Sequence, residues 1–246
     1  MNALVEPTEI SVVGSYEDVA SEYYDSVRHP TCANFREASD LLLNRWFEEY
    51  TVSESWISEL GPGSSSAAPH LINRGQSLDH LVLVDSSSTM LSYSREWSRC
   101  GAHFVIGDAS TLPLRSEYFG LIVSSLGDPY NTSKFWKETS RVLRSGGYSF
   151  FTTPSYDWAV SFREYSEAAA ITAAEFELLN GSRLAVSSLI YPVSRQQMLI
   201  EAEGLRLDQV AHVSIAELSS TQLSSKLILK RGMNASIVTG YVISKP

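Results

Sequence analysis

Three short runs of this chain carry residue types that can hold a nucleotide-like ligand, and they follow one another at regular intervals. Glu59-Leu60-Gly61-Pro62-Gly63 joins an acid to a tight glycine turn. Glycines let a backbone bend sharply and approach a ligand closely, and a helix that follows aims its first N–H groups at the same place. Asp85 closes the aliphatic run Leu81-Val82-Leu83-Val84, where a carboxylate can accept hydrogen bonds from ribose hydroxyls. Gly107-Asp108-Ala109 closes a third apolar stretch, and Asp108 there can accept from an adenine amino group. Singly, each has a plainer explanation: a ligand-free loop, or a helix N-cap in the case of Asp85. In order, at three successive strand ends, they define one edge of a sheet where a ligand binds.

The elements that must position these residues are legible from apolar patterning. Trp56 to Leu60 reads as a first strand, Leu81 to Val84 as a strand buried on both faces, His103 to Ile106 as a third and Phe119 to Ser124 as a fourth. Helices fall between them over Ser66–Arg74, Thr89–Arg99 and Ser133–Leu143, stopped near Gly75, Gly101 and Gly146-Gly147. Tyr148 to Thr153 is a fifth strand. Such alternation is the signature of a parallel sheet with helices on its faces. Beyond Pro154, Glu164–Leu179 reads as an alanine-rich helix, Leu184–Tyr191 as extended and Ser194–Glu203 as a helix with a serine cap. Leu205–Ile215 and Ser236–Ser244 complete the sheet. Two helical stretches precede it, Tyr16–Tyr24 and Asn34–Glu49, joined by Arg28-His29-Pro30.

Composition narrows the function. Of 246 residues, 43% are hydrophobic and 19% charged, a globular mixture with enough length to bury a core without staples. Cys32 and Cys100 have no metal-ligand spacing, so two buried, reduced thiols and no metal are expected. Neither a basic-then-apolar leader nor an apolar run of about 18 residues is found, which predicts a cytoplasmic protein with no membrane partner. A net charge of −9 argues against general nucleic-acid binding, although Arg95, Arg99, Arg141 and Arg144 offer a local basic patch.

The run Ile57–Thr153 resembles the class I S-adenosylmethionine-dependent methyltransferases, the small-molecule group related to the ubiquinone/menaquinone methyltransferases above all. Glu59 to Gly63 resembles the family's first motif, Leu83-Val84-Asp85 with Met90-Leu91 its second, and Gly107-Asp108-Ala109 with Leu112-Pro113 its third. Glu138, Arg141-Val142-Leu143 and Gly146-Gly147 resemble the block before the fifth strand. Ser65, Gly120 and Ser145 depart from the pattern, which marks a divergent member. The resemblance implies an α/β, Rossmann-like fold: a seven-stranded, mostly parallel sheet with an antiparallel last strand, helices on both faces and an N-terminal helical lid. It divides one domain of residues 1–246 into a lid (1–50), a cofactor-binding core (51–154) and an acceptor-side insertion with the final strands (155–246). The implied cofactor is S-adenosyl-L-methionine, released as S-adenosyl-L-homocysteine. Gly61, Pro62 and Gly63, with Glu59 in the same motif, would pass beneath its methionine part and Asp85 would hold the ribose. Ser86 and Met90 would flank the adenine, Asp108 and Ala109 would meet its amino group and ring, and Ser125 and Leu126 would lie near the sulfonium. Tyr24 or Arg28 of the lid would meet the carboxylate.

The acceptor is less legible. Asp128-Pro129-Tyr130 resembles in part the Asp-Pro-Pro-Tyr motif of amino-group methyltransferases, with a plain Asp-Pro turn as the simpler reading. His29 is a candidate base because histidine titrates near neutrality, so His29, Asp128 and Tyr130 form the candidate catalytic set. Trp158, Phe162, Tyr165 and Tyr191 offer an aromatic wall. A small-molecule acceptor, methylated at O, N or C, is the expectation, with a lean towards secondary metabolism. The rivals are a nucleic-acid base N-methyltransferase, a catalytically silent cofactor-binding subunit and, least fitting, a nicotinamide-dependent dehydrogenase. The oligomeric state stays open, a homodimer among the options.

Overall fold

The computed structural model describes residues 14–50, 55–163, 173–220, 222–228 and 232–246. In chain order these form α1 (Tyr16–Val19), α2 (Pro30–Glu49), β1 (Trp56–Leu60), α3 (Ala67–Asn73), β2 (Leu81–Asp85) and α4 (Ser88–Ser92). Then come β3 (His103–Ile106), β4 (Phe119–Ser124), α5 (Ser133–Val142), β5 (Leu143–Pro154) and α6 (Tyr156–Arg163). The chain closes with β6 (Ala173–Glu177), β7 (Arg183–Ser187), α7 (Val193–Glu201), β8 (Arg206–Ser214), α8 (Ser225–Ile228) and β9 (Ser236–Ser244).

Seven strands hydrogen-bond in the order β3-β2-β1-β4-β5-β9-β8. β1 to β5 pair in parallel, and β9 runs antiparallel between β5 and β8. Every residue of β2 and β4 is buried, as their unbroken apolar runs require of strands covered on both faces. On one face α2 lays down Phe35, Ala38, Leu42, Leu43, Trp46 and Phe47, a helical repeat that packs with Phe150, Val238 and Val242 of the sheet. On the other, Phe135, Trp136 and Val142 of α5 meet Leu199 and Ile200 of α7 and Phe151 and Tyr241 of the sheet. A smaller core joins the N-terminal segment to a separate two-stranded sheet, β6-β7, through Val19, Ala20, Tyr23, Met90, Phe176 and Val186. The strand order reverses between β1 and β4, and in sheets of this kind the crevice beyond the carboxyl ends of those strands receives the ligand.

Several elements differ from the sequence expectation. Ala173–Glu177 is a strand paired antiparallel with β7, not the end of a helix, because Phe176 buries in the lid core and pairing overrides alanine's helical preference. The rest of that predicted helix, 164–172, lies outside the described residues. The helix expected over Thr89–Arg99 breaks after Ser92 and resumes as a 3-10 turn at Arg95–Cys100. Buried Ser94 explains the break: its hydroxyl donates to Gly63 O (2.6 Å) and accepts from Ser65 N (2.8 Å), so it is held by the β1 loop. The lid helix is one turn long, followed by turns through Tyr24. α7 begins beyond Pro192 rather than at a serine cap. Both cysteines are free thiols, but Cys100 is exposed and Cys32 half-buried, so the expected pair of buried thiols is not found. Among the described residues, no helix is long and apolar enough to cross a membrane, and no cluster of three or more His, Cys, Asp or Glu is placed to hold a metal.

Candidate active site

The β1 loop is the structural centre of the site. Leaving Leu60, the chain turns through Gly61 (φ 62°) and Gly63 (φ 49°), backbone conformations that favour glycine. A Cβ on Gly61 would lie 2.7 Å from the Tyr130 hydroxyl, and one on Gly63 would collide with the Tyr24 hydroxyl. Glu59, wholly buried, accepts from Ser66 N (2.8 Å), Ala67 N (3.3 Å) and the Ser65 hydroxyl. Burial pushes its carboxyl up to about 7, while these hydrogen bonds pull the other way. Its carboxylate therefore serves the first turn of α3 and fixes the loop from behind, and it does not line the cleft in front.

That cleft, about 470 Å³, lies across the carboxyl ends of β1, β2 and β4. Gly61 and Pro62 form its floor. Asp85 forms one wall, its Oδ2 accepting from Gly63 N (3.1 Å) and its Oδ1 from Ser87 N (2.9 Å). Burial raises the Asp85 carboxyl, opposed by these two bonds and reinforced by nearby Glu17. Ser86 and Met90 line the cleft beside it, and Asp108 and Ala109 line the far wall. Asp108 Oδ1 accepts from Ser110 N at 2.7 Å, which sets its turn. The Glu138–Arg141 block has a structural role. Arg141 holds Glu138 (2.7 and 2.8 Å) and donates to Leu112 O (2.9 Å) and Leu114 O (2.8 Å), which anchors the segment following Asp108. Arg144 donates to Ser55 Oγ at 2.8 Å, so two of the four arginines of the expected basic patch are engaged within the fold.

The N-terminal segment closes the cleft. Glu17 accepts from the Ser87 and Thr89 hydroxyls and from Thr89 N (3.3 Å), while Tyr93 donates to Ala20 O at 2.7 Å. Tyr24 accepts from Ser64 N at 2.6 Å. The Arg36 guanidinium, 4.8 Å from the Tyr24 ring and 5.1 Å from Tyr23, is the one Lys or Arg among the described residues lining this cleft. Sequence reasoning missed it, since a lone arginine in an amphipathic helix carries no distinguishing signal. Arg28 is bound to Glu22 (3.1 Å) and borders a different cavity, so of the two expected carboxylate partners only Tyr24 reaches the cleft.

The second cavity, about 520 Å³, shares Tyr16, Tyr23 and Leu126 with the first. The candidate catalytic set divides between them. His29 and Asp128 line the second cavity, whereas Tyr130 lies in the first, its hydroxyl donating to Leu60 O (2.6 Å) and bonded to Ser124 Oγ (2.8 Å). Tyr130 is thus a support for the β1 loop. Asp128 is buried and receives the Ser188 hydroxyl at 2.5 Å, and His29 Nε2 lies 3.4 Å from Glu22 Oε2. Between the cavities, Leu126 adopts φ 55° and its N–H donates to Thr152 Oγ1 (2.8 Å). Ser39 Oγ bridges Thr152 Oγ1 and Ser125 Oγ, both at 2.7 Å. A strained residue so firmly held at a junction of cavities is characteristic of functional loops. Of the expected aromatic wall, Trp158 lines the second cavity, whereas Tyr191 is buried in the core with α5 and α7. The Phe162 side chain and Tyr165 lie outside the described residues.

Residues 58–151 match the family model described as a methyltransferase domain. A malonyl-[acyl-carrier protein] O-methyltransferase of Marinomonas sp. is 32% identical over 143 residues, covering 56% of this chain; the match spans half the length of that relative. Among solved structures, the chain is similar to one from the complex between the Haloferax volcanii Trm112 methyltransferase activator and a methyltransferase (TM-score 0.68, 15% identity, 96% of this chain and 100% of that one). It is also similar to an S-adenosylmethionine-dependent methyltransferase from Mesorhizobium loti (TM-score 0.59, 15% identity, 86% and 100%). The CcbJ methyltransferase from Streptomyces caelestis gives TM-score 0.58 at 15% identity over 94% of this chain and 97% of that one. Residues 58–151 are thus the part of the chain similar to the methyltransferase-domain model, and the fold is shared with these solved methyltransferases.

Proposed function

We propose that this chain transfers a methyl group from S-adenosylmethionine to a small molecule seated in the second cavity. The observation that carries the reading is the junction of two cavities at Tyr16, Tyr23 and Leu126, one of them bearing the glycine turn and Asp85. The cleft fits the cofactor: its volume lies within the ~300–1,000 Å³ of small-molecule sites, and the buried Asp85 carboxylate and Arg36 match a ribose diol and a carboxylate. When bound, the cofactor supplies a methyl on a positively charged sulfur with a neutral thioether as leaving group.

In this reading Asp85 accepts from the ribose hydroxyls, and Ser86 and Met90 flank the adenine. Asp108 takes the adenine amino group, with Ala109 against the ring. Gly61, Pro62 and Gly63 lie beneath the methionine part, whose carboxylate Arg36 and Tyr24 hold, and Ser125 and Leu126 border the sulfonium. Glu59 acts behind them by fixing the loop. Positioning supplies most of the catalysis in such an in-line displacement, so His29 and Asp128 serve as acceptor-side groups. On motif spelling we group the chain with the ubiquinone/menaquinone-type enzymes.

The nucleic-acid reading is disfavoured by Tyr130. Its hydroxyl is tied to Leu60 O, so the ring supports the β1 loop rather than standing ready to stack on an extruded base. The test is to supply methyl-labelled S-adenosylmethionine with separate pools of small metabolites, RNA and DNA. Label in the small-molecule pool supports the proposal; label in nucleic acid, or no turnover with any pool, contradicts it.

A further inference from the structure

The second cavity sets aromatic rings beside a buried carboxylate. Among the described residues its walls present the uncharged rings of Tyr16, Tyr23, Phe35, Trp158 and Phe176, the imidazole of His29, and the buried carboxylate of Asp128. The rings form two groups. Phe35 and Trp158 meet edge to face at 4.8 Å, and Phe176 lies 6.2 Å from both Tyr16 and Tyr23. Aromatic faces attract cations through the ring quadrupole, the more strongly where water is excluded. A carboxylate in the same wall strengthens that preference, because hydrogen bonds to a charged group are worth more than neutral ones.

Among the described residues, the other charged groups that line the cavity do not reverse this sign. Arg28 is bound to Glu22, and the same Glu22 lies beside His29, so the two basic groups on that side share one acid. Lys226 and Glu175, of opposite charge, are exposed at the rim. An acceptor carboxylate placed inside would therefore meet Asp128 directly and gain little from the cations.

We propose that the acceptor is an amine on an apolar, ring-bearing body, with the nitrogen hydrogen-bonded to Asp128 and the body packed among the aromatic rings. The proposal rests on the methyltransferase reading and specifies its substrate class. The ammonium gives a proton to water and reacts as the neutral amine. Its lone pair forms the new N–CH3 bond as the C–S bond breaks, and the electron pair of that bond stays on sulfur in S-adenosylhomocysteine. The methylated ammonium leaves with its remaining protons, so no other co-reactant is required. Asp128 orients the nitrogen by accepting from an N–H.

Three near-isosteric probes test this: phenethylamine, 2-phenylethanol and 3-phenylpropionate, titrated by calorimetry into the S-adenosylhomocysteine-saturated protein and into the protein alone. The amine is expected to bind at least about tenfold more tightly than the other two. Asp128→Asn, which keeps the side-chain shape, is expected to remove that preference. Circular dichroism checks its fold, and the wild-type ranking stands without it. Equal binding of the three probes, tighter binding of the carboxylate, no saturable amine binding into the millimolar range, or a preference that survives in a folded Asp128→Asn overturns the proposal. S-adenosylhomocysteine binding is read separately, so loss of the cofactor reading and loss of the amine site give different results.

Discussion

The Tyr130 hydroxyl donates to the carbonyl oxygen of Leu60 at 2.6 Å, directly beneath the turn at Gly61. A residue from the segment after β4 thereby holds the end of β1 at the angle the cleft requires. Replacing Tyr130 by Phe leaves a buried carbonyl short of a partner, which costs about 1–3 kcal/mol. Chemical denaturation should show a loss of that size, with weakened S-adenosylhomocysteine binding. An unchanged affinity would mean the loop needs no such support.

Gly61→Ala tests the same turn from the other side. The new Cβ would fall 2.7 Å from the Tyr130 oxygen at a backbone φ of 62°. Strain at such a position costs on the order of 1–3 kcal/mol. Cofactor affinity should fall by at least tenfold while the sheet persists by circular dichroism. Full affinity would contradict the glycine turn as the floor of the site.

Glu59 makes a pH prediction. Its carboxyl is raised by burial to about 7 in the folded chain, from an ordinary 4.5. The folded state then holds a proton that the unfolded state releases between those values, so stability falls as pH rises through that window. The contribution is of the order of 3 kcal/mol. Urea unfolding from pH 5 to pH 8 should show wild type losing ground relative to Glu59→Gln. Parallel pH profiles for the two would remove the prediction.

Arg36 is assigned to the cofactor's carboxylate by position alone, and a ligand pair can test it. Arg36→Ala should weaken S-adenosylhomocysteine by about 10- to 100-fold, the range for a charged hydrogen bond. Binding of 5′-methylthioadenosine, which lacks the carboxylate, should hardly change. Equal losses for both ligands would place Arg36 in lid packing against Tyr23 and Tyr24 instead.

How much of this was readable in advance depends on how local each signal is. β2 and β4 announce themselves as unbroken apolar runs, and Gly61, Asp85 and Asp108 each end a strand, so the sheet and its ligand edge follow from sequence alone. The lid does not: Glu17 reaches Ser87 and Thr89, and Arg36 reaches Tyr24, across separations that no periodicity records. Ala173–Glu177 was opaque for a related reason. Alanine's helical preference is local, whereas the pairing with β7 and the burial of Phe176 are not. Asp128 and Tyr130, two residues apart, serve different cavities because the 3-10 turn Asp128–Tyr130 directs them differently.

The most direct test of the account is calorimetric titration of the protein with S-adenosylmethionine and S-adenosylhomocysteine, with Asp85→Ala alongside. Saturable binding of both is expected, weakened in the variant by about 1–3 kcal/mol as the ribose hydroxyls lose their acceptor. Failure of a demonstrably folded protein to bind either ligand, or an Asp85→Ala variant that binds as tightly as wild type, would contradict it.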